Sequence, residues 1–264
     1  MRGMSTAQAP TIDVAEVERL LHALYIATPG TTLRLEDLKK AREIAALLDE
    51  VARAVRGSSR ARTLTLVDAA AGKAYVGLLA AHLVLARAGQ PARVVVIERD
   101  RAHLAASEVA AIRMGGDIPI EHRLGDVGDR MLWPEAPDLV VALHACGPAS
   151  DAIIDQAIAV GSRRIFLVPC CTSAAVPADA LAEAMAESLR IPRHGLVRRR
   201  FHEAIVAAER TLRLEAAGYQ TEVMAFVPPT VTPHNLMWRA RRVGEPGRTR
   251  AARVDLAHLR SLAP

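Results

Sequence analysis

The chain has 264 residues, a formal net charge of +5 and a sequence pI near 9.5. Apolar residues make up 51% and aromatics only 3%, so a full core can form, built from Ala, Leu, Val and Ile. No run reaches the ~20 apolar residues that span a bilayer, the early residues show no signal-peptide pattern, and three cysteines, two of them adjacent, imply no disulfide framework. The expectation is a soluble cytoplasmic protein whose basic balance permits nucleic-acid binding without requiring it.

Residues 1–11 read as a disordered leader. Val14, Val17, Leu20, Leu21 and Leu24 recur at helical spacing, and Thr28-Pro29-Gly30 stops that helix. A second helix runs from about Leu33 to Val55, and Gly57-Ser58-Ser59 is a loop. The pattern then changes to short buried strands that alternate with helices. The strands are Leu64–Val67 ending in Asp68, Val94–Ile97 ending in Glu98, Ile118–Leu124 leading to Gly125-Asp126, Asp138–Leu143 ending at His144, and Arg164–Val168 ending at Pro169-Cys170-Cys171. The helices between them are Tyr75–Ala88, Ala102–Met114 and Asp151–Val160. Such alternation predicts a parallel sheet with right-handed crossovers. The ending differs. A helix from Ala204 to Ala216 precedes strands Tyr219–Val227 and Leu236–Val243, whose connection is too short for a crossover and implies an antiparallel hairpin. From Gly244 the chain reads as a basic linker with a short helix near Val254–Leu262.

In an open parallel sheet, ligands bind outside the carboxyl ends of the strands. Here those ends carry Asp68, Glu98, Asp126, His144 with Cys146, and Cys170 with Cys171. The first turn, Asp68-Ala69-Ala70-Ala71-Gly72-Lys73-Ala74, holds small residues that let the backbone approach a ligand, but only one glycine. That disfavours a dinucleotide, which wants a G-x-G-x-x-G turn around its pyrophosphate. S-adenosylmethionine has no phosphate and suits the acidic ends, where Glu98 accepts ribose hydroxyls and Asp126 the adenine amino group. Taken singly, an acid at a strand end is a solvated loop residue; three in order on one edge argue for a site.

The segments Asp68–Ala74, Leu143-His144-Ala145-Cys146-Gly147-Pro148-Ala149-Ser150-Asp151 and Val168-Pro169-Cys170-Cys171 resemble signatures of a subgroup of class I methyltransferase domains: D-x-G-A-G-K-G, L-H-A-C-G-x-x-[ST]-D and V-P-C-C. Lys39-Lys40-Ala41-Arg42-Glu43-Ile44 resembles the helix that precedes such domains, and Thr232-Pro233-His234-Asn235-Leu236 a T-P-x-N-L turn near their end. The resemblance covers roughly Leu38 to Arg242. More distant relatives include a tRNA 2′-O-methyltransferase. The resemblance implies an α/β fold: a seven-strand Rossmann-like methyltransferase sheet, parallel with a C-terminal antiparallel hairpin, plus N-terminal helices. It divides the chain into a helical extension (1–57), the methyltransferase domain (58–243) and a basic tail (244–264). One departure is that Ala70 and Ala74 replace signature glycines, which alanine tolerates where φ is negative.

On this reading Lys39, Asp68, Ala70, Gly72, Lys73, Glu98, Asp126 and His144 hold the cofactor, S-adenosylmethionine. His144, Cys146, Cys170, His234 and Asn235 lie beside the acceptor, and His144 is the base candidate, histidine being the side chain suited to exchange a proton near neutral pH. Asp151 starts a helix and reads as its cap. Cys171 reads as buried filler. The spacing H-x-C…C-C is not a standard zinc spacing, so no metal is assigned. A small-molecule acceptor is the first expectation, an RNA acceptor the second, and a non-catalytic cofactor-binding protein the third, with no membrane role.

Overall fold

The computed structural model describes residues 12–26, 31–169, 175–233 and 235–262. The expected leader and the Thr28-Pro29-Gly30 stop lie outside them, as do Cys170, Cys171 and His234. Strands β1 (Leu64–Ala69), β2 (Ala92–Glu98), β3 (Ile120–Leu124), β4 (Leu139–Leu143), β5 (Arg164–Val168), β6 (Tyr219–Ala225) and β7 (Leu236–Arg242) form one sheet. Among the described residues its order is β3-β2-β1-β4-β5-β7-β6. Pairs among β1 to β5 are parallel; β7 runs antiparallel to both β5 and β6. This is the expected seven-strand sheet with its terminal hairpin.

The central strands are buried on both faces because each must cover a layer of helices. Alternate side chains go to opposite faces. Leu64, Leu66, Val94, Val96, Leu139 and Val141 enter one core, while Val67, Ala69, Val95, Ile97, Val140 and Ala142 enter the other. The first core is closed by α1 (Val14–Leu21), α2 (Leu35–Arg56), α3 (Tyr75–Ala80) and α5 (Arg101–Met114). The second is closed by α6 (Pro148–Ala159) and α8 (Gly195–Ala216).

Several local readings change. The single helix expected over Tyr75–Ala88 is α3, then a π-helical turn over Ala81–Leu85, then the short α4 (Ala86–Ala88). A second π-helical turn, His22–Ile26, extends α1. Helix α7 (Pro177–Ser188), which packs beside α8, was not expected, and α8 begins nine residues before Ala204. The tail is a sixteen-residue helix, α9 (Pro246–Ser261), docked on α8. Arg260 Nη2 reaches Glu209 Oε1 at 2.5 Å across that contact. No described helix is long and apolar enough to cross a membrane.

Candidate active site

Alternation along β1 sends Asp68 to the same face as Leu64 and Leu66, beneath α3. Its carboxyl is 1% exposed and accepts the Gly77 N–H at 2.7 Å. A helix start leaves amides without internal partners, and Asp68 satisfies one of them. Burial pushes the Asp68 carboxyl up to about 7; the Gly77 hydrogen bond opposes this and the nearby Glu98 charge adds to it. Glycine is required at position 77 because a Cβ there would stand 2.9 Å from Asp68 Oδ2 and 3.2 Å from Val94 Cγ1. Asp68 thus seats α3 under the first turn.

That turn is built from three left-handed residues, Ala70 (φ 53°), Gly72 (φ 56°) and Ala74 (φ 55°). Negative φ was the condition for alanine here, and the structure overturns it. Each alanine pays roughly 1–2 kcal/mol for its Cβ in this conformation. The turn is held against that strain by its neighbours. Gly72 N–H donates to Glu98 Oε2 at 2.7 Å, and Tyr25 Oη donates to Lys73 O at 2.8 Å. Tyr25 packs edge-on against Tyr75 with centroids 4.5 Å apart, and Lys40 Nζ lies 4.8 Å above the Tyr75 ring. The π-helical turn after α1 supplies Tyr25 at this point.

Glu98 ends β2 nearly buried, with Oε2 on Gly72 N and Oε1 on Asp100 N, each at 2.7 Å. An ionised carboxylate has about four lone-pair sites, so both oxygens keep capacity for a further donor. Asp126 follows β3, is exposed, and accepts Gly128 N–H at 2.8 Å. Ala70, Glu98, Asp126, His144 and Cys146 line one cavity of about 200 Å³. Five of the residues singled out from sequence therefore meet at the carboxyl edge of the sheet. Gly72 joins them through its hydrogen bond to Glu98.

His144 is also left-handed, at φ 62°, and its N–H donates to Val168 O of β5 at 2.8 Å. Its Nε2 lies 3.0 Å from Glu43 Oε2. Glu43 is 4% exposed on α2, and its Oε1 is buried without a hydrogen-bond partner among the described residues. Glu43 thus anchors the His144 ring through Nε2 from a helix that precedes the sheet. Cys146 Sγ stands 3.2 Å from His144 O, and Cys146 is disulfide-bonded, which the odd cysteine count did not foretell.

Asp151 does not cap α6; it is an ion-pair anchor. Its carboxylate is nearly buried and takes Arg210 Nη2 at 2.7 Å and Nε at 3.2 Å, with Arg213 also on Oδ1. Arg210 Nη2 reaches Gly147 O at 3.4 Å, so α8 clamps the turn that carries His144 and Cys146. Asn235 is placed elsewhere, where its Nδ2 donates to Val227 O at 2.9 Å. It lines a second cavity of about 290 Å³ with Pro169, Arg210 and Trp238. Lys39 is exposed on α2, and Lys73 lines a groove with Tyr25 and Lys40. Neither lines the cavity of Glu98 and His144.

Arg210 and Arg213 were missed as site-building residues, while Glu43, which lies in the segment Lys39–Ile44 that resembles the helix preceding such domains, was expected either on an exposed charged face or closing the cofactor pocket. Glu43 had a signal: it and Glu50 fall seven residues apart on the buried stripe of α2, where a carboxylate needs a partner.

A family model described as a methyltransferase domain matches residues 39–175. No curated protein matches the chain. Among solved structures, magnesium protoporphyrin IX methyltransferase from Synechocystis, crystallised with bound SAH, aligns at 14% identity over 85% of this chain and 93% of that one, with a TM-score of 0.50. A putative O-methyltransferase from Klebsiella pneumoniae aligns at 12% identity over 90% and 92%, with a TM-score of 0.49. A putative RNA methyltransferase from Pyrococcus horikoshii aligns at 14% identity over 87% and 99%, with a TM-score of 0.46. The structural likeness is one of fold, while the family match spans just over half of the residues, from the helix bearing Glu43 past the end of β5. The chain belongs to the methyltransferase-domain family.

Proposed function

We propose that the chain is an S-adenosylmethionine-dependent methyltransferase that acts on an N, O or S nucleophile of a small molecule. The observation that carries this reading is the meeting of Ala70, Glu98, Asp126, His144 and Cys146 around one cavity at the sheet's carboxyl edge. The donor set fits the cofactor's chemistry. Glu98 is fixed by two backbone N–H groups and keeps lone pairs for ribose hydroxyls, and Asp126 is placed to accept an amino group. The acids and the sulfonium charge are also complementary. When bound, S-adenosylmethionine supplies an electrophilic methyl on a sulfonium sulfur.

The chain's own residues supply alignment and proton handling. Glu43 orients His144 through Nε2, and His144 is the group assigned to take the proton of the acceptor's nucleophilic atom. Asp151 and Arg210 hold the turn in register, so the imidazole keeps its place beside the cavity. Lys39 and Lys73, which do not line this cavity, remain assigned to the cofactor on sequence grounds. Cys170 and His234 remain assigned to the acceptor side on sequence grounds.

The test is turnover. Extracts from cells with and without the gene are compared by mass spectrometry for a product heavier by one methylene. The purified chain should convert the accumulated precursor when given S-adenosylmethionine. Methylated RNA nucleosides that vanish with the gene, while metabolites stay unchanged, would move the reading to an RNA acceptor.

A further inference from the structure

The second cavity is linked to the first through the Cys146-Gly147 turn. Arg210, on its floor, touches Gly147 O, and Cys146 lines the neighbouring cavity. Its wall is apolar, with Pro169, Val206 and Trp238, and a cavity of about 290 Å³ approaches the range that holds a small organic molecule. Its rim is not neutral. Arg199 Nε stands 3.9 Å from Glu203 Oε1, and Arg200 Nη1 stands 3.3 Å from Glu203 Oε2. Two guanidinium groups therefore share one carboxylate. On the floor, Arg210 is already balanced by Asp151. Counting Arg199, Arg200 and Arg210 against Glu203 and Asp151 leaves one positive charge over an apolar pocket. Both rim arginines are largely exposed, so they can turn toward a ligand at little cost. They also sit within the first two turns of α8, which carries no acid in its first turn, and the positive end of the helix dipole adds to their field.

We propose that this cavity is the acceptor site, and that the acceptor is an organic anion: an apolar body seated against Val206 and Trp238, with an acidic group held by Arg199 and Arg200. The role as acceptor site rests on the methyltransferase reading; the binding of an apolar anion does not. A neutral apolar molecule leaves the rim charge unused, and a bare inorganic anion leaves the apolar wall uncovered. The pocket selects for both properties together.

The probe is anilinonaphthalene sulfonate, an aromatic body with one anionic group. The chain has two tryptophans, and Trp238 forms part of the wall, so occupancy quenches its emission in favour of the dye. The expected result is saturable binding that weakens about tenfold in the double variant Arg199→Ala, Arg200→Ala, as for loss of a charge-assisted hydrogen bond. Val206→Phe, which fills the pocket, should remove the quenching. Phenylnaphthylamine, the uncharged counterpart, should bind at least about fivefold more weakly than the sulfonate. The arginines are exposed, so circular dichroism of the double variant should match the parent and keep the test valid even where Val206→Phe fails to fold. Quenching that ignores the arginine pair, or equal binding of the neutral counterpart, overturns the proposal. Calorimetry with S-adenosylhomocysteine separates the two readings. Dye binding as described without nucleoside binding sinks the methyltransferase reading and the acceptor role with it, and leaves the apolar-anion site; nucleoside binding with an insensitive dye sinks the anion site alone.

Discussion

His144 Nε2 and Glu43 Oε2 stand 3.0 Å apart across 101 residues of chain. The contact joins a helix that precedes the sheet to the turn after its fourth strand, and it anchors the imidazole. A carboxylate hydrogen-bonded to a histidine fixes the orientation of its ring. Glu43→Gln should therefore lower kcat by about tenfold, a part of the roughly hundredfold or more that a positioned base contributes. S-adenosylhomocysteine affinity should stay within about twofold of the parent. Steady-state kinetics beside calorimetry checks this; a Glu43→Gln enzyme with parental kcat removes Glu43 as a positioning residue. His144→Ala should lose more kcat than Glu43→Gln.

The Asp151–Arg210 pair is buried on both sides, with side chains 6% and 2% exposed. Removing one partner strands the other charge away from water. Asp151→Ala should cost about 3–5 kcal/mol in urea unfolding, with an unchanged slope. A loss under about 1 kcal/mol would mean that Arg210 finds other partners or water.

Asp68 gives stability a pH dependence of definite sign. Its folded carboxyl titrates near 7, above the ordinary 3.8, because burial favours the neutral form. The native chain thus holds this proton over a range where the unfolded chain has lost it. The contribution is complete below about pH 4 and is lost as pH rises through about 7. Asp68→Asn keeps an oxygen for the Gly77 N–H and does not ionise. Relative to the parent, the variant should gain roughly 4 kcal/mol between about pH 4 and pH 8. Parallel curves for the two proteins across that window would contradict the assignment.

Ala70 holds φ 53° on the wall of the first cavity. Glycine adopts that conformation freely, so Ala70→Gly should stabilise the fold by about 0.5–1 kcal/mol after its own entropy cost. Gly77→Ala should act in the other direction, because its methyl meets Asp68. Thermal melts of both variants check the pair; a destabilised Ala70→Gly would mean that the methyl packs more favourably than the backbone is strained.

The sheet was legible because fully buried strands write themselves as apolar runs such as Leu64–Val67 and Val94–Ile97, closed by polar residues on one edge. The same punctuation exposed Glu98, Asp126 and His144. Helix α7 escaped because its Pro- and Ala-rich start reads as loop, and the first half of α9, before the short helix expected near Val254, because its arginines mask a shallow pattern. Arg210 escaped for a different reason, as did the partner of Glu43. Arg210 and Glu43 each look like a member of a charged surface row until a distant element supplies the partner, which local spacing does not encode. The φ values of Ala70 and Ala74 were hidden too, since alanine gives no warning of a left-handed turn.

Titration of the purified chain with S-adenosylhomocysteine tests the central claim most directly. The account predicts one site per chain, weakened about tenfold or more by Glu98→Ala. Absence of heat and of thermal stabilisation, or affinity indifferent to Glu98, would contradict it.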